Sequence, residues 1–292
     1  MMVEMNKILI TGASGRIGKG VLENLDYLFD SSAKIDLLQN KNPIQLGSSR
    51  HNCEIINNLS KNKYHFALHL AANADAAYCA KPENRAVVWE ANVGLTGRVC
   101  DVADNVIFVS TDQVTGSTPL NEGLCEYDAP NPCSIYGKSK LDGEKVVLEN
   151  EGNVVRIGTM LGVSNRLVDH AVEVILGRSK LEFFTNDYLR PTSLADFLET
   201  LKAVVASGAK QRIYHAECRG KIFSRYEIAD RVLQECLERN LPVHVKEVIG
   251  CENENPRRLV LNTECTEKEL ALHFSDSEQA LDKHIKKKIA QL

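Results

Sequence analysis

The chain reads as an α/β protein built on a doubly wound, mostly parallel sheet, and three observations predict this. A short apolar strand over residues 7–11 runs into the glycine-rich turn Gly12-Ala13-Ser14-Gly15-Arg16-Ile17-Gly18. A helical pattern follows at once, with Ile17, Val21, Leu22, Leu25 and Leu28 along one side. Strand-like runs then alternate with helical periodicity along the chain, with no internal repeat or low-complexity linker.

A second strand is expected over 34–38. The stretch 42–63 is polar, and its His51 and Cys53 show no metal-ligand spacing. Residues 66–72 read as a buried strand ending in the small Ala71 and Ala72, which let a ligand approach the carboxyl end of an open sheet. A helix over 83–103 carries Asn92, and the strand 106–109 ends in Ser110-Thr111-Asp112. Asn131-Pro132 resists helix, so the next helix starts near Ser134, a suitable N-cap, and stops near Asn150 and Gly152. Further strands are expected over 154–157, 181–184, 212–215 and 243–249, with helices over 167–176, 193–205 and 226–238. A terminal helix over 275–292 opens with Ser275 and Glu278 at capping-box spacing and carries a solvated lysine run.

At 292 residues the chain is long enough for one large domain or two closely joined ones. The boundary reads as 1–155 for a nucleotide-binding part and 156–292 for a smaller, interleaved α/β part. A net charge of −4 gives no support to a nucleic-acid or membrane-surface partner, and no apolar run approaches a membrane span. Residues 1–10 leave no room for a secretory segment. Nine scattered cysteines without a Cys-x-x-Cys pair then fit reduced thiols in the cytoplasm.

The first turn has specific chemistry. Gly12, Gly15 and Gly18 let the backbone turn tightly beside a pyrophosphate, and N–H groups at the helix start attract the anion. Ser14, Arg16 and Ile17 share that loop. Asp36 lies 18 residues beyond Gly18, near the spacing of an acidic residue that contacts an adenosine ribose. Arg16 and Lys41 instead suit a 2′-phosphate, or solvent, so NAD and NADP both remain open.

Tyr136 and Lys140 are four residues apart and project from one helical face. A free phenol has a pKa near ~10, and a neighbouring ammonium favours its phenolate. Lys140 is therefore expected to lower the pKa of Tyr136 and make it a general acid–base group.

The glycine loop, Ser110-Thr111-Asp112, and Asn131-Pro132 ahead of Tyr136-Gly137-Lys138-Ser139-Lys140-Leu141-Asp142-Gly143-Glu144 together resemble the extended short-chain dehydrogenase/reductases. Within that family the chain is similar to the dTDP-4-dehydrorhamnose reductases and their sugar-nucleotide-binding relatives. Arg190-Pro191-Thr192, Tyr214-His215 and Asn255-Pro256-Arg257-Arg258 carry the likeness into the C-terminal part. The resemblance implies a Rossmann-type fold, an NADP or NAD cofactor, a nucleotide-sugar substrate and no metal, and it leaves room for a homodimer. It implies a catalytic group of Thr111, Tyr136 and Lys140. It also implies a cofactor site of the loop residues with Ala71, Ala72, Asn92 and Ser110. Asp112, Arg190 and Arg257 are the substrate-binding candidates, a guanidinium fork being suited to a diphosphate.

Two segments depart from the subfamily pattern. Gln113-Val114-Thr115-Gly116 lacks both aromatics of the usual Tyr-Val-Phe-Asp-Gly, and Thr159-Met160-Leu161-Gly162 replaces Trp-Val-Tyr-Gly. The alternatives to a reductase are a sugar-nucleotide epimerase or dehydratase and a non-catalytic, NAD(P)-binding regulatory subunit. Gln113 after Asp112 weakens the dehydratase reading, since the dehydratases place a second acidic residue there.

Overall fold

The computed structural model describes residues 7–38, 52–56, 58–59, 63–118, 123–180 and 182–292. A parallel sheet forms from β1 (Lys7–Thr11), β2 (Lys34–Leu38), β3 (Asn52–Ile56), β4 (Phe66–His69), β5 (Val106–Thr111) and β6 (Asn153–Ile157). Short strands β7 (Thr159–Leu161), β8 (Phe183–Phe184), β9 (Tyr188–Leu189) and β10 (Pro191–Ser193) follow. The chain then returns to the large sheet as β11 (Ile213–Ala216), beside β6. The sheet order is β11-β6-β5-β4-β1-β2-β3, all parallel, so the winding reverses between β1 and β4. A crevice forms outside the carboxyl ends of strands at such a reversal.

The helices are α1 (Arg16–Leu22), α2 (Leu25–Leu28), α3 (Ala76–Ala80), α4 (Arg85–Trp89), α5 (Leu95–Val102) and α6 (Ile135–Glu149) in the first half. In the second half come α7 (Arg166–Ile175), α8 (Leu194–Ser207), α9 (Arg225–Glu238), α10 (Glu264–Leu270) and α11 (Ser277–Ile289).

Strand periodicity of two explains the layers. Ile8, Ile10, Ile107, Val109, Val155 and Ile157 face a core shared with Leu25 of α2 and Phe197 and Leu201 of α8. Leu9, Phe108 and Val154 face the opposite core with Val99 of α5 and Val147 of α6. A separate core joins α7, α9 and α11 through Val172, Val232 and Leu281, over β8 and β9. There β12 (Phe223–Ser224) pairs antiparallel with β9, while β13 (Gly250–Cys251) and β14 (Arg258–Leu259) pair parallel with β8 and β9.

The structure corrects several expectations. The polar stretch 42–63 holds β3, whose Glu54 and Ile55 are exposed, so this edge strand shows no buried alternation. His51 and Lys41 lie outside the described residues. Residues 243–249 do not form the expected strand, and only Gly250–Cys251 pairs, with β8. The helix expected over 83–103 is interrupted by a π turn at Glu90–Gly94. Asp276, not Ser275, caps α11 through the Gln279 N–H, because the Ser275 hydroxyl donates to Asp196 Oδ1 at 2.9 Å. Lys288, placed in a solvated run, pairs with Asp169 at 2.6 Å. No helix among the described residues is long and apolar enough to cross a membrane.

Candidate functional site

A cleft of about 400 Å³ opens at the reversal between β1 and β4. Its floor is the loop after β1. Gly12 has φ +70°, and a Cβ there would stand 2.6 Å from the Ala71 amide nitrogen. A Cβ on Gly18 would meet Ala13 Cα at 2.6 Å, so only glycine lets α1 pack against the turn. Gly15 caps α1 without any side-chain hydrogen bond, which leaves first-turn amides available to an anion.

β5 delivers Ser110 and Thr111 to the cleft, and α6 delivers Tyr136 and Lys140. The helix starts where expected because the Ser134 hydroxyl accepts from Gly137 N at 2.9 Å. Buried Gly137, Lys140, Glu144 and Val147 recur at helical spacing and turn that face to the sheet. Below it a buried ion pair ties α6 to β6. Arg156 donates to Glu144 through Nε at 3.0 Å and through Nη2 at 2.8 Å, with both side chains about 1% exposed.

Lys140 does not act as the spacing suggests. Its ammonium donates to the Val109 carbonyl at 2.7 Å and lies 3.6 Å from the centre of the Phe108 ring. Burial lowers its pKa to about 7, against the attraction of Glu144. The Tyr136 phenol is pushed above its usual range by burial and then by Asp112, with the Thr111 hydrogen bond only partly offsetting them. The expected lowering of the tyrosine pKa by Lys140 is therefore corrected. The ammonium is aimed into the sheet, and the largest charge acting on the phenol is Asp112.

A buried relay fixes the walls. The Thr96 hydroxyl donates to the Asn92 carbonyl at 2.9 Å, so it accepts from His69 Nε2–H at 2.9 Å. His69 Nδ1 is then an acceptor and takes the Thr11 proton at 2.6 Å, while Thr11 Oγ1 accepts from Ala71 N. Burial, with Lys140 nearby, pushes His69 down to about 3, which keeps this neutral tautomer. The Asn92 side chain is fully buried. Its Oδ1 accepts from Asn73 N at 2.6 Å and its Nδ2 donates to Ser139 Oγ at 2.9 Å.

Of the expected site residues, Gly12, Gly15, Arg16, Ile17 and Gly18 line the cleft with Ala72, Ser110, Thr111, Tyr136 and Lys140. Ser14 and Ala71 are not among the lining residues. Asn92 does not reach it and acts on the walls, a correction that follows from its fully satisfied amide. Asp36 is also corrected. It sits mid-strand opposite Leu9, accepts from the Tyr64 hydroxyl at 2.7 Å and pairs with Lys7 at 3.2 Å. Asp112 is buried beneath the cleft and accepts from the Thr111 hydroxyl at 2.9 Å. Arg190 is committed to Glu217 and to the Leu261 carbonyl, so it holds the fold and lines neither the cleft nor the pocket beside it. Arg257 lines a neighbouring pocket of about 300 Å³ with Gln113 and Ser134.

Two arginines of the cleft, Arg166 and Arg225, lacked any motif in the sequence. Both open helices, which was their only signal. Arg166 reaches Asp75 at 3.3 Å. Arg16 is close enough to feel it, since burial and then Arg166 lower the Arg16 pKa. Arg225 and Arg257 both bind Asp187 Oδ2 at 2.9 Å. Burial would raise Asp187, yet these two guanidiniums hold its carboxyl below the usual range.

The model of the RmlD substrate binding domain family matches residues 5–289. The chain belongs to the RmlD substrate binding domain family. It is 30% identical over 191 residues to methionine adenosyltransferase 2 subunit beta of Rattus norvegicus, covering 60% of this chain and 53% of that protein. The chain thus spans about half the length of such relatives. It is 26% identical over 243 residues to dTDP-4-dehydrorhamnose reductase of Mycolicibacterium smegmatis, covering 78% of this chain and 68% of the relative. The solved dTDP-4-dehydrorhamnose reductase of Bacillus anthracis str. Ames, in complex with NADP, superposes with a TM-score of 0.73. That match has 19% identity over 97% of this chain and 98% of the other. The doubly wound, Rossmann-type α/β fold expected from the sequence is therefore the fold observed.

Proposed function

We propose that the chain is an NAD(P)-dependent reductase that reduces a keto group of a nucleotide-linked sugar. The observation that carries this reading is the convergence of the β1–α1 glycine loop with Thr111, Tyr136 and Lys140 in one cleft. The residues present suit a dinucleotide. The loop excludes side chains, Arg16 and Arg166 supply positive charge, and Ser110 Oγ is buried with no hydrogen-bond partner of its own. Arg16 lies on the glycine loop and lines the cleft, where its guanidinium suits a phosphate of the dinucleotide.

A bound nicotinamide supplies the hydride. Tyr136 donates its proton to the oxygen of the reduced carbonyl, and Thr111 holds that oxygen beside it. The raised pKa of Tyr136 keeps the phenol protonated, as a reductase in the forward direction requires. Lys140 lines the same cleft with its ammonium held on the Val109 carbonyl, and releasing that bond would let it serve ribose hydroxyls. Arg257 and Arg225, fixed by Asp187, suit the diphosphate of the substrate. A cytoplasmic homodimer, with residues 1–155 holding the cofactor and 156–292 mainly the substrate, belongs to the same proposal.

A regulatory, cofactor-binding subunit is the second reading, favoured by the 30% identity to methionine adenosyltransferase 2 subunit beta. Following NAD(P)H absorbance with a panel of 4-keto nucleotide sugars separates the two. Oxidation with any of them supports the reductase. Cofactor binding without oxidation across the panel supports the subunit.

A further inference from the structure

Below the Tyr136 end of the cleft lie two carboxyl groups whose arrangement the proposed chemistry leaves unexplained. Glu217, just after β11, is fully buried. Its Oε2 accepts from Arg190 Nε at 2.9 Å and from Leu261 N at 3.0 Å. Its Oε1 is buried and has no hydrogen-bond partner. Asp112 is also buried, and its Oδ1 accepts from the Thr111 hydroxyl.

The two remaining oxygens converge on Gly158, which lines the cleft. A Cβ built on Gly158 would stand 3.0 Å from Glu217 Oε1 and 3.6 Å from Asp112 Oδ2. Two ionised carboxylates so placed repel, and Arg190 serves only the far oxygen of Glu217. A proton on Oε1 turns an orphaned acceptor into a donor and removes that repulsion.

We propose that Glu217 and Asp112 form a proton-sharing carboxyl pair, with the proton resting on Glu217 Oε1, and that this pair sets the orientation of the Thr111 hydroxyl. Thr111 has one proton. While Asp112 is an ionised acceptor, that proton points at Asp112 Oδ1 and Thr111 offers only lone pairs to the cleft. Transfer breaks the O–H bond at Glu217 Oε1 and forms one at Asp112 Oδ2. The negative charge then rests on Glu217, beside Arg190, and Thr111 is freed to donate into the cleft. The charged and titratable groups facing the pair are Arg190 and Cys218 at Glu217, and Tyr136, Arg225 and Arg257 at Asp112. Burial pushes Glu217 well above the usual carboxylate range, and Asp112 up to about 6.

The role of Thr111 rests on the reductase reading, whereas the shared proton does not. It is tested on the isolated chain by difference infrared titration, with no cofactor or turnover. The wild type is expected to keep a protonated-carboxyl C=O band at neutral pH. Glu217→Gln, which preserves shape and neutrality, is expected to lose that band while unfolding cooperatively. Asp112→Asn removes the like charge, so the Glu217 band should titrate at lower pH, and this variant decides the matter if Glu217→Gln does not fold. Absence of the band in the wild type, or a band that neither substitution moves, overturns the pair.

Discussion

The Lys140 ammonium rests 3.6 Å from the centre of the Phe108 ring and donates to the backbone of β5, one helical turn from Tyr136. Burial brings its pKa to about 7, so near neutrality the amine is partly unprotonated. An anionic dinucleotide arriving in the cleft favours the ammonium. Binding of NAD(P)H at pH 7–8 should therefore take up protons, seen by calorimetry in buffers of different ionisation enthalpy. Lys140→Met should bind without that uptake; an equal uptake in the variant contradicts the assignment.

Gly18→Ala places a methyl against Ala13 Cα and the Gly12 carbonyl, so the turn must open. Overpacking of this kind costs about 1–3 kcal/mol. The expected outcome is a lower melting temperature together with loss of dinucleotide binding in a fluorescence titration. Wild-type affinity would show that the loop is not the binding floor.

Glu144→Ala strands the buried Arg156 guanidinium and should cost about 3–5 kcal/mol in urea denaturation. The exposed pair Lys210–Glu151 offers a contrast, since its removal by Lys210→Ala should barely move the urea midpoint. Similar losses at the two sites would contradict the burial argument.

His69 and His215 are buried and neutral, each pushed from 6.5 to about 3, the first by burial and Lys140, the second by burial and Arg156. A base with a depressed folded pKa contributes stability that is full above its unfolded pKa. That stability is lost as pH falls from 6.5 toward 3, with a limiting slope of about 1.4 kcal/mol per pH unit per group. Denaturation midpoints measured from pH 7 to 4 should fall less steeply in His215→Gln than in the wild type. Parallel curves would mean that His215 is not buried neutral.

The parts legible in sequence were those governed by local physics. The apolar run Ile8-Leu9-Ile10, the Gly12–Gly18 turn and the Ser134 cap all act over a few residues, and each element lies where its pattern predicts. Long-range pairing was less visible. Asp36 has the spacing of a ribose ligand, but Tyr64, 28 residues away, takes its carboxylate. The helix period puts Tyr136 and Lys140 on one face, yet it cannot reveal that Phe108 and Val109 draw the ammonium inward. Arg190 looked free for a diphosphate until Glu217 was placed beside it. Arg225 gained its meaning only through Asp187, on a different strand connection.

Replacing Tyr136 by phenylalanine tests the central assignment most directly, since it removes one hydroxyl and little else. With a keto nucleotide sugar that the wild type reduces, kcat should fall roughly 10²-fold or more, with NAD(P)H affinity little changed. Turnover near the wild-type rate would contradict the assignment of Tyr136 as the proton donor.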